Sequence, residues 1–404
     1  MFKNLGMSNG DLAMYTSLLY LPWVIKPLWS PFVDVIRTKR WWILSMQVIC
    51  AVAFAALAFT IPHPEASAIA GNEVPVSAFA ATLVIFYITA LASATHDIAA
   101  DGFYMIALDS HVQSVFVGIR STFYRIASVF GQGVLVVIAG VLETNTRNVP
   151  LAWTVTLVFS AVLFGAIALW HTFALPHPES AVKDGVNGRT GKEIWAELGR
   201  TFVTFFKKKQ VWFALVFMLL YRLPEAFAVK MLNPFLLDDI SVGGLGLSTE
   251  TVGLVYGTIG VIALTLGGIL GGLAAAKWGL KKSLWPMALS LALPCSVYLY
   301  MALAQPADLW TISLCVAFDQ FGYGFGFTAY MLYMMYFSEG EYKTSHYALC
   351  TAFMALSMML PGLVAGHLQE SLGYPGFFIM VMFCCLATVV VTLFAKVDSN
   401  YGKK

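Results

Sequence analysis

The sequence predicts an all-α integral membrane protein, a bundle of two related six-helix repeats of which eleven helices are present. Apolar residues make up 59% of the chain and charged residues 11%, whereas soluble domains have roughly 45–50% and about 25%. Eleven long apolar stretches follow one another along the 404 residues, and most are long enough to cross a hydrocarbon core of about 30 Å as a helix. A short charged loop recurs half a chain later, which is typical of internal duplication.

The apolar stretches predict the order of the helices and the domain organisation. The polar segment 176–209 separates five stretches from six, so we expect an N-terminal half (1–175), a cytoplasmic linker (176–209) and a C-terminal half (210–404). An odd number of helices does not fit an even duplication, and we expect the first helix of the first repeat to be missing. An eleven-helix protein with a rearranged first repeat is the alternative. The stretches are 11–32, 41–60, 77–107, 121–143, 151–175, 210–237, 251–275, 283–303, 309–337, 344–368 and 375–396.

The basic residues of the loops predict the orientation in the membrane. If the first stretch begins outside, most of the loop lysines and arginines lie inside, and only Lys3 and Arg147 lie outside. Positive residues accumulate on the cytoplasmic side of membrane proteins. We therefore expect an external N-terminus, with the linker and Lys404 in the cytoplasm.

Two pairs of short segments indicate the duplication. Residues 30–40 combine an acid with a basic cluster, and residues 272–282 repeat the basic part. Residues 120–125 (RSTFYR) open the fourth stretch, and residues 343–348 (KTSHYA) open the tenth in the same order of residue types. Duplicated bundles of this kind are typical of secondary transporters.

Eight ionisable side chains fall inside the apolar stretches. Each is expected to cost about 2.5–3.5 kcal/mol at a helix centre exposed to lipid. We therefore expect them to line a polar space between the halves, with snorkelling or structural ion pairing as the alternative. They are Lys26, Asp97, Asp101, Arg125, Arg222, Glu225, Lys230 and Asp319.

The acidic side chains of this set are candidates for proton coupling. Asp97 and Asp101 are four positions apart and share one face of a helix. Two neighbouring carboxylates can share a proton near neutral pH, whereas a nearby Arg125 would favour their charged forms. The predicted proton-coupling residues are Asp97, Asp101, Asp319 and Glu225.

The basic side chains are candidates for holding an anionic or zwitterionic solute. Lys26 lies among prolines, and Pro224 interrupts the sixth stretch between Arg222 and Glu225. A proline removes a backbone hydrogen bond, and broken membrane helices mark binding sites or gates in transporters; a kink for packing is the alternative. The predicted substrate-binding residues are Lys26, Arg125, Arg222 and the neighbouring Tyr124 and Tyr221.

The charged loops resemble the loop motif of the major facilitator superfamily. The first copy ends in a basic cluster, and in the second copy Ala276 stands where the motif has its acid. The resemblance implies that both loops gate the protein, the second less strongly. The matching residues are Asp34, Arg37, Lys39 and Arg40 in the first copy, and Gly272, Lys277, Gly279, Lys281 and Lys282 in the second.

Within that superfamily, four segments are similar to the AmpG-type muropeptide permeases, and the related acetyl-coenzyme A transporters have a similar paired-aspartate segment. The resemblance covers nearly the whole chain. It implies proton-driven import of anhydromuropeptides by a multi-pass protein, expected to be monomeric, in the bacterial inner membrane. His96 stands where these permeases more usually have glutamine. The segments are 15–29 (YTSLLYLPWVIKPLW), 95–101 (THDIAAD), 233–236 (NPFL), and Gly366 with 373–378 (GYPGFF).

Other functions stay open at this point. The chain could carry a different anionic solute, such as a coenzyme A ester or a sugar derivative, or be a sensor with a transporter fold. A membrane acyltransferase using His96 and Asp101 is disfavoured, because no acyl-acceptor or phosphate-binding loop accompanies that pair. A formal charge of +2 does not indicate nucleic-acid binding. The six cysteines lack metal-ligand spacing, so we expect neither a metal nor another cofactor.

Overall fold

The computed structural model describes residues 1–35, 37–62, 74–107, 123–124, 126–177, 191–340, 343–398 and 401. Within these ranges every regular element is helical. Eight helical stretches there are long and apolar enough to cross a membrane, and one of them, Ser345–Phe394, consists of two helices joined at Gly373. The predicted all-α membrane bundle is confirmed.

Six helices of the N-terminal half lie within the described residues. Polar side chains precede three of them, because the first backbone N–H groups of a helix lack intrahelical acceptors. Ser8, Thr38 and Asn148 accept hydrogen bonds from the N–H groups of Asp11, Trp41 and Leu151. The helix α3 packs against both α4 and α6. The six are α1 (Asn9–Leu18), α2 (Leu21–Val35), α3 (Lys39–Thr60), α4 (Ala80–Ala107), α5 (Ile126–Thr146) and α6 (Val149–Ala174).

The linker and the C-terminal half contain eight further helices among the described residues. The Asp308 carboxylate caps α12 by accepting a hydrogen bond of 2.7 Å from the Thr311 N–H, and this bond lowers the pKa of Asp308. The eight are α7 (Gly191–Phe206), α8 (Val211–Leu220), α9 (Leu223–Leu237), α10 (Thr249–Trp278), α11 (Leu280–Ala304), α12 (Leu309–Ser338), α13 (343–372) and α14 (374–394).

Two of the predicted membrane stretches are each built from two helices. The first, 11–32, corresponds to α1 and α2, and the sixth, 210–237, to α8 and α9. Between α8 and α9, Arg222 leaves helical geometry, with φ −103° and ψ 10°. Pro224 lies in the first turn of α9, where its missing N–H removes no helical hydrogen bond. The interruption predicted from the sequence is therefore present.

The linker contains a helix that its polar composition does not predict. The helix α7 places apolar side chains on one face, where Phe205 is fully buried. The Phe205 ring stacks on Phe353 of α13 at 6.3 Å between centroids. The Thr204 hydroxyl lies 3.1 Å from His346 Nε2. The end of the linker is thus attached to the C-terminal half.

The outer surface of the bundle is apolar. Phe59, Phe173 and Trp310 are each at least 80% exposed. Side chains of this kind would be unfavourable in water and are stable against lipid tails. The bundle is therefore covered by apolar side chains where a membrane would surround it.

The two halves meet along two seams. One seam runs between α1 and α13, where Gly366 lies against the backbone of Asn9 and Gly10. The other runs between α5 and α10, each of which contains a π-helical segment, Phe130–Val134 and Val255–Gly260. Between these segments a Cβ atom at Gly257 would overlap the carbonyl oxygen of Gln132. Glycine therefore lets the two backbones touch, as small residues do in membrane helix pairs.

Candidate functional site

The N-terminal half contributes an ion pair between α2 and α4. Lys26 Nζ lies 3.0 Å from Asp97 Oδ2, and the side chains are 16% and 38% exposed, respectively. Each charge offsets part of the cost of removing the other from water. Among the described residues Asp97 is paired with the Lys26 ammonium group, and it remains partly accessible to solvent.

The other site residues predicted in the N-terminal half differ in how exposed they are, and some lie outside the described residues. Asp101 lies one turn beyond Asp97 on α4 and is half-buried. Tyr124 is 75% exposed. Arg125 lies outside the described residues, as does the side chain of Asp34. The substrate-binding role of Arg125 and the gating role of Asp34 stay predictions.

The C-terminal half contributes a buried ion pair at the break between α8 and α9. An Arg222 Nη nitrogen lies 3.0 Å from Glu225 Oε2, with both side chains no more than 6% exposed. Arg222 Nε donates to the same oxygen at 3.2 Å, so the guanidinium binds the carboxylate through two nitrogens. The i,i+3 spacing of the sequence predicts this pair, because residues three apart share a helix face.

Aromatic rings surround the Arg222 guanidinium. Its carbon lies 4.6 Å from the ring centroid of Phe327, 5.3 Å from that of Tyr323 and 5.7 Å from that of Tyr330. Arg222 also donates to the Tyr323 hydroxyl at 2.7 Å. A cation over aromatic faces is stabilised by the ring quadrupole. The described hydrogen bonds and ring contacts of Arg222 are thus made within the C-terminal half.

Tyr20 of the N-terminal half connects this group to the facing half. Its hydroxyl lies near both Arg222 and Glu225. The ion pair therefore lies near the boundary between the halves, where a polar space was predicted.

Asp319 is a buried carboxylate on α12. The Tyr298 hydroxyl donates to Asp319 Oδ2 at 2.5 Å, and the Gln320 amide donates to the same oxygen at 3.1 Å. Asp319 is 6% exposed. Neutral donors rather than a cation therefore satisfy this carboxylate.

Tyr221, predicted to bind substrate, occupies a packing position. It is fully buried, and its hydroxyl donates to the Gly326 carbonyl at 3.1 Å. Its ring stacks on Tyr330 at 5.6 Å. The helix turns Tyr221 into the C-terminal core because it precedes the break, whereas Arg222 follows the changed backbone direction.

The sequence did not indicate a polar triad within the N-terminal half. The Gln47 amide on α3 lies between His96 Nε2 of α4, at 3.2 Å, and His171 Nδ1 of α6, at 2.9 Å. Gln47 is 7% exposed. Single polar residues on three separate helices give no spacing pattern, so only the packing brings them together. The triad joins the helix that carries Asp97 to α6 through Gln47 of α3.

The first charged loop, for which a gating role was predicted, is attached to its own half. Arg40 donates to the carbonyl groups of Thr172 and Leu175 at the end of α6. Lys39 is buried, with its chain beside Gly102 of α4. Arg37 is exposed and lies 5.9 Å from the centroid of the Trp41 ring.

The residues of the second charged loop, for which a gating role was also predicted, are more exposed. Gly272, Lys277, Lys281 and Lys282 are all exposed. Gly279 connects α10 to α11 with φ 78° and ψ 160°, which glycine adopts more readily than other residues. Without an acid in this copy, its lysines are available to solvent or to lipid headgroups.

A polar network joins the halves at the end of the bundle predicted to face outward. Asn9 Nδ2 of α1 donates to Gln369 at 2.7 Å and to Asp238 at 3.1 Å. The Tyr374 hydroxyl donates to Asp238 at 2.6 Å, and the Gly10 N–H donates to Glu370. We call this set the outer latch.

A second contact lies beside the outer latch. Asn4 Nδ2 donates to Thr249 at 2.6 Å and to Glu143 at 3.1 Å, and the Thr249 hydroxyl donates to Glu143 at 3.0 Å. Glu143 belongs to α5 and Thr249 to α10, so this contact closes the outer end of the second seam. The two halves therefore hold each other at the outer end.

These features define a class of protein before any comparison is made. Two helical halves enclose intramembrane ion pairs, meet along small-residue seams and are joined at one end by polar contacts. Among the described residues no group of three or more histidine, cysteine, aspartate or glutamate side chains could hold a metal ion. The arrangement is that of a membrane carrier with a central polar site.

Comparison with known proteins assigns the family. Residues 1–339 match the model described as Major Facilitator Superfamily, and the chain belongs to this superfamily. It is similar to the anhydromuropeptide permease of Escherichia coli (strain K12), with 23% identity over 407 residues that cover 96% of this chain and 73% of the relative. The chain is thus a multi-pass membrane transporter for a small molecule, related to the AmpG muropeptide permeases, and it is not an enzyme.

Solved structures show the same fold. A D-xylose-proton symporter superposes with a TM-score of 0.71 at 14% identity, covering 100% of this chain and 92% of that chain. The nucleoside transporter NupG superposes with a TM-score of 0.67 at 17% identity, covering 97% of this chain and 91% of that chain. The predicted superfamily architecture is therefore confirmed.

Proposed function

We propose that this transporter imports an anhydromuropeptide, or a closely related anionic glycoconjugate, across the bacterial inner membrane in symport with protons. The observation that carries the proposal is the Lys26–Asp97 ion pair, which is partly exposed and lies on two helices of the N-terminal half. The name of the Escherichia coli relative, which aligns with 96% of the chain, supports the substrate class.

An anionic or zwitterionic substrate fits the intramembrane cations. Lysine and arginine are costly inside a membrane without anionic partners. A carboxylate of the solute that approaches Lys26 can replace the Asp97 carboxylate as its partner. Arg222 lies in the facing half, where Glu225 and the Tyr323 hydroxyl hold its guanidinium in place.

Proton coupling fits Asp97 best among the four predicted carboxylates. A proton on Asp97 removes its charge and frees Lys26 to bind the anionic solute, so the proton and the solute bind together. Glu225 is buried against Arg222, and Asp319 is buried against two neutral donors. Asp101 lies one turn away and supplies a second carboxylate on the same face.

Uptake into vesicles tests both parts of the proposal. The purified full chain, reconstituted with an imposed pH gradient, is expected to accumulate a radiolabelled anhydromuropeptide. Collapse of the gradient by an uncoupler is expected to abolish accumulation and leave downhill exchange. Accumulation that survives the uncoupler would remove the proton from the mechanism.

Competition experiments separate the alternatives. Unlabelled muropeptide is expected to block uptake, whereas coenzyme A esters and simple sugar derivatives are not. If a coenzyme A ester is transported and the muropeptide is not, the substrate assignment is wrong. Absence of flux for every solute class would favour a sensor role.

The protein is expected to be a monomer, and light scattering of the purified chain in detergent should give the mass of one.

A further inference from the structure

Lys230 reaches from the C-terminal half toward the N-terminal half. It lies on α9, and its Nζ donates to the Thr16 hydroxyl of α1 at 3.3 Å. The Nζ also lies 5.1 Å from the centroid of the Tyr20 ring. At Gly362 of α13 a Cβ atom would lie 2.8 Å from Lys230 Cε. The lysine therefore passes through a gap that the missing side chain at Gly362 leaves open.

The charge of Lys230 is not balanced in the way that the other two described intramembrane cations are. Lys26 has Asp97 at 3.0 Å and Arg222 has Glu225 at 3.0 Å. Within the described ranges of the chain, no carboxylate lies within ion-pair distance of Lys230. Its described partners are one neutral hydroxyl and one ring face.

An ammonium group has three donors, and the Thr16 hydroxyl accepts only one of them. The Thr16 hydroxyl itself donates to the Leu12 carbonyl at 2.6 Å, so its oxygen is oriented to accept from Lys230. Lys230 is half-buried rather than buried. It therefore keeps donor capacity and some access to the space between the halves.

We propose that Lys230, with Thr16 and Tyr20, forms a subsite for a carboxylate of the transported solute. A carboxylate there makes a charge-assisted hydrogen bond with Lys230, which is stronger than the bond to a neutral hydroxyl. The Tyr20 ring supports the ammonium from the other side. Because Tyr20 also lies near Arg222 and Glu225, the subsite adjoins the buried ion pair.

This subsite rests on the proposed function only in requiring an anionic solute. The Arg222 guanidinium, by contrast, already donates to Glu225 and to the Tyr323 hydroxyl. Lys230 thus adds a second cation, beside Lys26, for the charged form of the solute, and Arg222 is a positioning residue that holds the broken helix.

Binding measurements on the full chain in detergent test the subsite. The probes are a free-acid anhydromuropeptide, N-acetylmuramic acid and a short free-acid peptide, each with its amidated counterpart, and the readout is the Kd from thermal stabilisation. In Lys230→Met the Kd of the preferred free acid is expected to rise about tenfold or more, while that of its amide is unchanged. Lys230→Arg is expected to stay close to wild type, and Lys396→Met, at an exposed position, serves as the matched control.

The outcomes separate the subsite from the proposed function. If Lys230→Met keeps the wild-type preference for the free acid, or if wild type itself prefers none of the acids over its amide, the subsite is wrong. If N-acetylmuramic acid or the peptide depends on Lys230 and the muropeptide does not bind, the subsite stands and the proposed substrate fails. Should Lys230→Met not fold, Tyr20→Leu removes only the ring face and is expected to weaken acid binding about threefold.

Discussion

Lys3 Nζ lies 2.7 Å from Asp238 Oδ1 and joins the beginning of the N-terminal half to the end of α9. Asp238 thereby accepts from three groups, because Asn9 and Tyr374 also donate to it. A single carboxylate at the end of one half thus holds two side chains of the other half and one of its own.

Removal of that carboxylate is expected to loosen the outer latch. In Asp238→Ala the donors of Lys3, Asn9 and Tyr374 lose their shared acceptor, and each such bond to a charged group contributes about 1.5–3 kcal/mol. The outer end should then open more often. Labelling of Ser17→Cys, which lies fully buried behind the latch, by an external impermeant maleimide in a background without native cysteines is expected to accelerate about tenfold or more.

The neighbouring Asp239 supplies the control for this experiment. The Asp239 carboxylate accepts a hydrogen bond of 2.8 Å from the Ser241 N–H, a residue of its own half. This bond lowers the pKa of Asp239. Asp239→Ala should leave the labelling rate of Ser17→Cys at its wild-type value. Equal acceleration in both variants would show that the latch does not hold the outer end closed.

The effects of replacing Arg222 and Glu225 on the stability of the protein are expected to be coupled. Arg222→Gln or Glu225→Gln leaves one buried charge without a partner, which typically costs about 3–5 kcal/mol. The double variant removes both charges and should recover much of the loss. Thermal unfolding of the purified protein in detergent measures this, and a double variant whose Tm falls by the sum of the two single losses would contradict the coupling.

Asp97 is expected to matter more than Asp101 for proton-driven transport. Asp97→Asn cannot take up and release a proton, so accumulation under a pH gradient should be lost while downhill exchange remains. Asp101→Asn should reduce accumulation less completely. Paired uptake and counterflow assays in vesicles measure the two activities, and wild-type accumulation by Asp97→Asn would remove this carboxylate from the coupling.

The seam between α5 and α10 is expected to tolerate no side chain at Gly257. A methyl group there meets the Gln132 backbone, which cannot rotate away, so Gly257→Ala should destabilise the bundle by about 1–3 kcal/mol. The matched control is Gly131→Ala, one residue from Gln132, where a Cβ atom has nothing within 4 Å. A lower Tm for Gly257→Ala alone is expected; an unchanged Tm in both would mean that the helices can separate freely.

The local features of this protein follow from its sequence because they depend on near neighbours along the chain. The apolar stretches predict membrane helices, Pro224 predicts the break in the sixth span, and the spacing of Arg222 and Glu225 predicts their ion pair. The recurring charged loops predict the duplicated superfamily architecture.

The partners across helices were decided only by tertiary packing. Lys26 and Asp97 are 71 positions apart, and nothing in their spacing favours this pair over Lys26 with Asp101. Tyr124 and Tyr221 look alike in sequence, each beside an arginine, yet one is exposed and the other buried. A helix places successive side chains about 100° apart, so a small rotation of one helix against its neighbours decides which charge meets which, and only the packing of the helices fixes that rotation.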